Sequence, residues 1–380
     1  MMAPHAGLER RVVAALEATP PRIPVILGGC GTGRTTALHA LVERLGHEDC
    51  QYIDVERAAS TPERFFAAVS ASSPFAPTST DDGPSSARDA FDQTLAHFAR
   101  ARGLDRPAIF LLDEVLELRT FESFPGLRHV LRELLQALQE SGNRFVLTSR
   151  YIARAHRLLR DASGRFEVIH LPSLSSSEVN AMLPSMGETS ADDREYLSRT
   201  IQALTDGRAS YLRAISDAAT ASTGRVGDPI SALTALLTSD GGLTTWCGYR
   251  YELRLHRARG YGALKAILEI LAEDEPLTLT EIAQRLHRTP GSTKDYLSWL
   301  EDVDLIVSQR KRYSFSDPLR RVWVRLYCRP SCPSDEEVAR EVQSYALSRL
   351  PQQEPSMVVA GGGENDGDED RKPWGIIEID

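Results

Sequence analysis

The stretch Gly28-Gly29-Cys30-Gly31-Thr32-Gly33-Arg34-Thr35-Thr36 is the part of this 380-residue chain best equipped for chemistry. It places glycines at 28, 29, 31 and 33, a cation at 34 and two hydroxyls behind it. Glycines let successive backbone N–H groups curl round an anion, and a following helix N-terminus adds its dipole. The spacing Gly28-x-x-x-x-Gly33-Arg34-Thr35 fits the phosphate-binding loop pattern at every position but one. Arg34 stands where that pattern has Lys. Arginine is always charged and binds phosphate, but its fork is larger and planar. Phosphate binding is therefore expected, while the placement of a transferring phosphoryl group stays open. The bland reading is a glycine turn that holds no ligand.

Two further sets of residues suit the same ligand. Ala108-Ile109-Phe110-Leu111-Leu112 is a continuous apolar run, and Asp113-Glu114 close it. Such a run reads as a strand buried on both faces of a parallel sheet, and ligands bind at the C-terminal ends of those strands. Asp113 suits a metal, together with Thr35. Glu114 suits a general base for an attacking water. Alone, the pair is equally an ordinary strand end with solvated acids. Arg144-Phe145-Val146-Leu147 is another buried run, ending in Thr148-Ser149-Arg150. Thr148 or Ser149 suits a hydrogen bond to that water or to a terminal phosphate, and Arg150 a contact with the terminal phosphate itself.

The elements that must position these residues alternate. Val25-Ile26-Leu27, Cys50–Val55, 108–114, 144–149 and Val168–Leu171 read as strands. Helical patterns at 8–18, 35–42, 61–71, 89–102 and 127–140 separate them. Ser60-Thr61-Pro62-Glu63 is a helix start, and residues 72–88, rich in Ser, Pro, Thr and Asp, read as a mobile surface loop. Alternation of this kind predicts an α/β fold with a mainly parallel sheet.

Read together, residues 20–330 resemble a P-loop NTPase of the AAA+/STAND group, close to the prokaryotic, archaeal-type ATPases with a C-terminal winged helix. Gly28–Thr35 resembles Walker A apart from Arg34, and Ile109–Glu114 resembles Walker B. Leu147–Arg150 is similar to sensor 1. Leu171-Pro172-Ser173-Leu174-Ser175-x-x-Glu178 resembles the entry to the helical lid. Leu204–Leu212 resembles the lid motif Gly-x-Pro, with Ala209 at the Pro position. The resemblance implies ATP or ADP with Mg²⁺, held by Gly28–Thr36 with Thr35 and Asp113 at the metal. Glu114, Arg150 and Thr148 take the catalytic places. It also implies a nucleotide-controlled change in domain arrangement. The organisation expected is a core at 1–172, a lid at 173–238, a winged helix domain at 239–332 and a helix at 333–350.

The winged helix reading rests on three helical patterns, at 261–271, 279–286 and 292–300. A hairpin follows, Leu305–Ser308 and Tyr313–Ser316 about a turn at 309–312. Residues 239–260 read as a link. From 277 to 330 there are ten basic residues against six acidic ones, a net of +4. Lys294, Arg310, Lys311 and Arg312 suit DNA phosphates. Glu301 and Asp302, at the end of the third helix, suit a groove poorly. A winged helix that packs against protein is the competing expectation.

The net charge of −9 argues against a protein that coats nucleic acid over its whole surface. Five scattered cysteines give no metal set or disulfide framework. No apolar run approaches the roughly 20 residues of a membrane helix, and a cytoplasmic setting is expected. Residues 351–380 read as a disordered acidic tail. Its apolar tip (Trp374, Ile376, Ile377, Ile379) is expected to contact a protein partner, and the idle terminus is the bland alternative. An oligomer is compatible with all of this. Two functions follow: an ATPase switch acting on DNA or a partner, or a nucleotide-binding platform without useful hydrolysis.

Overall fold

A computed structural model describes residues 6–350 apart from 76–82, 104–105, 161, 163, 184–190, 221–226 and 257–259. Helix α1 (Ala6–Glu17) leads into strand β1 (Ile23–Leu27), and the glycine loop delivers the chain to α2 (Arg34–Leu45). Then come β2 (Cys50–Asp54), α3 (Val55–Ala58), α4 (Pro62–Ala71), α5 (Ala87–Arg100) and β3 (Ile109–Asp113). A 3₁₀ helix over Val115–Ser123 precedes α6 (Val130–Glu140), β4 (Arg144–Ser149), α7 (Ile152–Leu159) and β5 (Phe166–His170). The five strands form a sheet in the order β2-β3-β4-β1-β5, with every neighbouring pair parallel. Strands β1 and β3 are buried at every position, so both faces are covered by helices and the runs carry no alternation. The register aligns Leu27 with Ser149 and Asp54 with Asp113, bringing the loop, the acids and the end of β4 to one edge.

The lid is α8 (Ser176–Met182), α9 (Ala191–Thr205), α10 (Ala209–Thr220) and α11 (Pro229–Leu236). Ser175 and Glu178 form a capping box at its entry. Gly207 adopts φ +63, and a Cβ there would stand 2.5 Å from the Leu174 carbonyl oxygen, so only glycine lets these two segments meet.

The sequence reading of 239–260 as a link is corrected. Gly242–Leu255 is helix α12, and Leu243, Cys247, Tyr251 and Leu255, four residues apart, are all buried. The winged helix follows with α13 (Tyr261–Glu273), β6 (Leu277–Thr278), α14 (Leu279–Arg285) and α15 (Pro290–Asp302). The wing is β7 (Ile306–Gln309) and β8 (Arg312–Phe315), antiparallel, closed by the two residues Arg310 and Lys311 at φ 50 and 64. Two helices end the described chain, α16 (Pro318–Tyr327) and α17 (Asp335–Arg349). Helix α16 belongs to two cores at once. Leu319, Val322 and Leu326 pack with the lid and α17, while Trp323 and Val324 pack into the winged helix. The acidic tail and its apolar tip lie outside the described residues.

Candidate nucleotide site

The candidate site is a cavity of about 270 Å³ at the C-terminal edge of the sheet. Cys30, Gly31, Gly33, Arg34, Thr35 and Thr36 form one wall, and Asp113, Glu114, Asp54 and Glu56 face them. Gly31 adopts φ +81, and a Cβ on it would fall 2.1 Å from the Ser210 hydroxyl. The lid thus closes directly over the loop, and the Ser210 N–H donates to the Gly31 carbonyl at 3.1 Å.

Arg34 does not reach into the cavity as a free cation. Its guanidinium turns back, donating to the Gly28 and Gly29 carbonyls and pairing with Glu114 Oε1. Both residues are buried, at 7% and 6% exposure. The second Glu114 oxygen accepts the Arg150 N–H at 3.0 Å. Glu114 also sits at φ 58, the left-handed region that a Glu rarely takes, and strain of this kind is held where the surroundings over-determine it. Its own N–H donates to the Thr148 hydroxyl at 3.0 Å. That hydroxyl in turn donates to Asp113 Oδ1. Thr148 is wholly buried, so it fixes the two acids rather than facing the cavity.

The Thr35 hydroxyl donates to Asp113 Oδ2 at 2.7 Å, and the Tyr52 hydroxyl reaches the same oxygen at 3.0 Å. Burial, then the Asp113 charge, push the Tyr52 phenol well up, so it stays a neutral donor. Arg150 turns away from the loop. It grips Glu56 through two nitrogens at 3.0 and 2.7 Å, and reaches Glu117, which also accepts the Tyr151 hydroxyl at 2.7 Å. Burial works against the Arg150 charge, but Glu114 and Glu56 outweigh it and hold the guanidinium charged.

The donor set fits a nucleotide. Arg34 Nε, Arg150 Nε, Arg208 Nε and the Ser210 hydroxyl are buried without a hydrogen-bond partner, and buried polar atoms left so are costly. Arg34, Arg150 and Ser210 line the cavity, where the oxygens of an anion are suitable acceptors; Arg208 is not among the lining residues. Among the described residues no group of three or more His, Cys, Asp or Glu can hold a metal unaided. Magnesium asks for no such cage: it takes one or two protein oxygens together with substrate phosphates and water. Thr35 and Asp113 bring two such oxygens together at the cavity wall.

Several participants escaped the sequence reading. Arg208 donates to the Cys30 carbonyl at 2.8 Å and to the Ser316 carbonyl beside the wing, and lies 4.0 Å from Asp317. Tyr211 donates to Asp317 at 2.6 Å, and Arg320 stands 3.5 Å from it. Burial alone would raise the Asp317 carboxyl, yet Arg208 and Arg320 hold it below the ordinary value. Arg208 lies inside the lid motif, but only the fold shows what it grips. Arg250 and Arg213 line the cavity from α12 and α10. The four-residue apolar repeat of α12 was the signal that would have found the first.

The winged helix carries Arg285, Arg288, Lys294, Arg310, Lys311 and Arg312 exposed. Its two acids at the end of α15 face the α/β core instead. Asp302 ion-pairs with Arg157 of α7, and Glu301, raised by burial, lies within the field of the same arginine.

Residues 263–307 match the family described as winged helix-turn-helix DNA-binding. The Walker-type ATPase PABY2304 of Pyrococcus abyssi superposes over 85% of this chain and 96% of its own, with a TM-score of 0.59 and 17% identity. The Orc1 protein of Aeropyrum pernix, in complex with DNA, covers 92% of this chain and 95% of its own at a TM-score of 0.41 and 17% identity. No curated protein matches by sequence. The chain thus shares the fold of the Pyrococcus protein, a parallel α/β sheet with a helical lid, and carries a C-terminal winged helix. Among the described residues no helix is long and apolar enough to cross a membrane.

Proposed function

We propose that this chain binds ATP with Mg²⁺ between its glycine loop and Asp113, and that nucleotide state sets the position of the winged helix, which engages DNA. The observation that carries the reading is the Arg208 bridge. One guanidinium holds the Cys30 carbonyl of the glycine loop and the Ser316 carbonyl beside the wing, so reshaping the loop round phosphates bears on the winged helix. Gly28–Thr36 would cradle the phosphates, Thr35 and Asp113 would hold the metal, and Glu114 would take the proton of an attacking water. Thr148 orients both acids. Magnesium, when bound, supplies charge neutralisation at the phosphates. For DNA, the exposed cations of α14, α15 and the wing favour phosphate contact. The acids that seemed to spoil α15 are engaged by the core.

A second reading has its own observation. Both Glu114 oxygens are occupied, one by Arg34 and one by the Arg150 N–H, so the base is sequestered. In that reading nucleotide is held and not turned over, and the protein serves as an assembly platform. Calorimetry of the full chain with Mg-ATP and Mg-ADP tests what the two share. Binding of either is expected, and no heat at millimolar nucleotide would end both.

A further inference from the structure

Four arginines face the phosphate cavity, and two are already neutralised. Arg34 is paired with Glu114, and Arg150 with Glu56 and Glu117. The other two, Arg213 and Arg250, donate no hydrogen bond to a carboxylate among the described residues, yet both line the cavity opposite the glycine loop. Of these, Arg250 is placed unusually. It projects from α12, whose buried stripe Cys247, Tyr251 and Leu255 is part of the winged-helix core. Its guanidinium lies over the Trp246 ring, 4.4 Å from the centroid, which holds it without cancelling its charge. One turn further along the same helix, Arg254 donates to the Asp304 carbonyl at 3.0 Å, in the turn before β7. A single rigid helix thus presents one arginine to the phosphate cavity and the next to the base of the wing.

We infer that Arg250 is the residue through which the winged helix detects the terminal phosphate of a bound nucleoside triphosphate. The proposal rests on the nucleotide reading above and adds to it. Arg34 is retained by its own loop, so the charge that Lys usually brings to the outer phosphates has to come from elsewhere. Arg250 is a partly buried cation with no carboxylate in contact among the described residues, Asp317 acting on it only at a distance. Burial and the neighbouring Arg254 and Arg320 charges press its ionisation down to about 10, a demand that a phosphate relieves. A diphosphate is one phosphate shorter and leaves that demand unmet. The inference therefore concerns discrimination between triphosphate and diphosphate, with α12 as the element that carries it to the wing.

The test uses the full chain, with a non-hydrolysable ATP analogue and ADP, both with Mg²⁺. Arg250→Gln and Arg250→Ala are expected to weaken the analogue by roughly tenfold or more, the scale of one lost charge-assisted contact. ADP affinity should change by no more than about twofold on the same scale, which also reports that the variants fold. Arg250→Lys keeps the charge and should recover part of the loss. In wild type, the analogue should slow hydrogen exchange across 242–255 and 306–315 more than ADP does, and Arg250→Gln should remove that difference. Unchanged analogue affinity, or an equal loss for both nucleotides, overturns the inference while the nucleotide reading stands. A wild-type chain that binds neither nucleotide overturns both.

Discussion

Arg34 and Glu114 hold each other, and under the proposed function that pair is where the two readings part. Glu114→Gln keeps the shape and loses the base, so turnover should fall by roughly 10²–10⁴-fold while nucleotide still binds. Arg34→Ala should lose nucleotide affinity. Arg34→Lys is the sharper case: an ammonium lacks the two-nitrogen fork that spans the loop carbonyls and Glu114 at once, so its hold on Glu114 should loosen and phosphate release, followed in a steady-state assay, should quicken. A rate unchanged from wild type would show that Arg34 does not limit the chemistry. A second residue governs stability against pH. His97 is buried against Phe98 and Phe110 with its Nε2 3.3 Å from Gln51 Oε1, and burial lowers its ionisation. The unfolded chain therefore takes up this proton first as pH falls. Stability from keeping His97 neutral is complete above its unfolded value near 6.5 and drains away as pH drops from there toward the lower folded value. Denaturant midpoints at pH 7.5 and 5.5 should differ less in His97→Gln than in wild type.

At the scale of elements, what could be read from the sequence was what repeats or punctuates. The buried runs of β1, β3 and β4, the Thr61-Pro62 helix start and the Ser175–Glu178 box all carry local signals, and each element stands where its signal put it. The 3₁₀ helix at Val115–Ser123 has no such period, and it carries Glu117. Helix α12 had a period, hidden by its scattered Arg and Tyr. The loop, the acids and Thr148 were legible because the chemistry asks for those residue types after those strands. That Arg34 and Arg150 turn to acids, and that Arg208 and Arg250 come from distant segments, depends on three-dimensional placement that spacing does not encode. The wing shows a local rule broken. A two-residue hairpin turn with both residues at positive φ favours Asn-Gly, yet Arg310 and Lys311 occupy it. Left-handed backbone costs an ordinary residue roughly 1–2 kcal/mol. Replacing the two by Asn-Gly should raise the denaturation midpoint and, if the wing binds DNA, weaken that binding and flatten its salt dependence. A less stable double variant would show that the turn is not strained.

Taken as a whole molecule, the α/β core, lid and winged helix are joined by burial as well as by chain. Asp317, Arg320, Arg208 and Tyr211 form a charged cluster at the start of α16, buried where lid, glycine loop and wing meet. A buried ion pair with one member removed is strongly destabilising, by roughly 3–5 kcal/mol, so Asp317→Ala should lower the denaturation midpoint far more than any exposed acid. The dual membership of α16 has a consequence for how such a protein can be rearranged. A segment cut at 239 and 332 carries Leu319, Val322 and Leu326 away from the lid that covers them. Made alone, it should associate or precipitate, whereas a segment from 173 to 350 keeps both sides of the helix covered and should stay monomeric in sedimentation. The winged helix is then not a cassette that can be lifted onto another protein. A graft that keeps α16 covered has to carry the lid with the winged helix, so the smallest portable unit of this architecture is the pair.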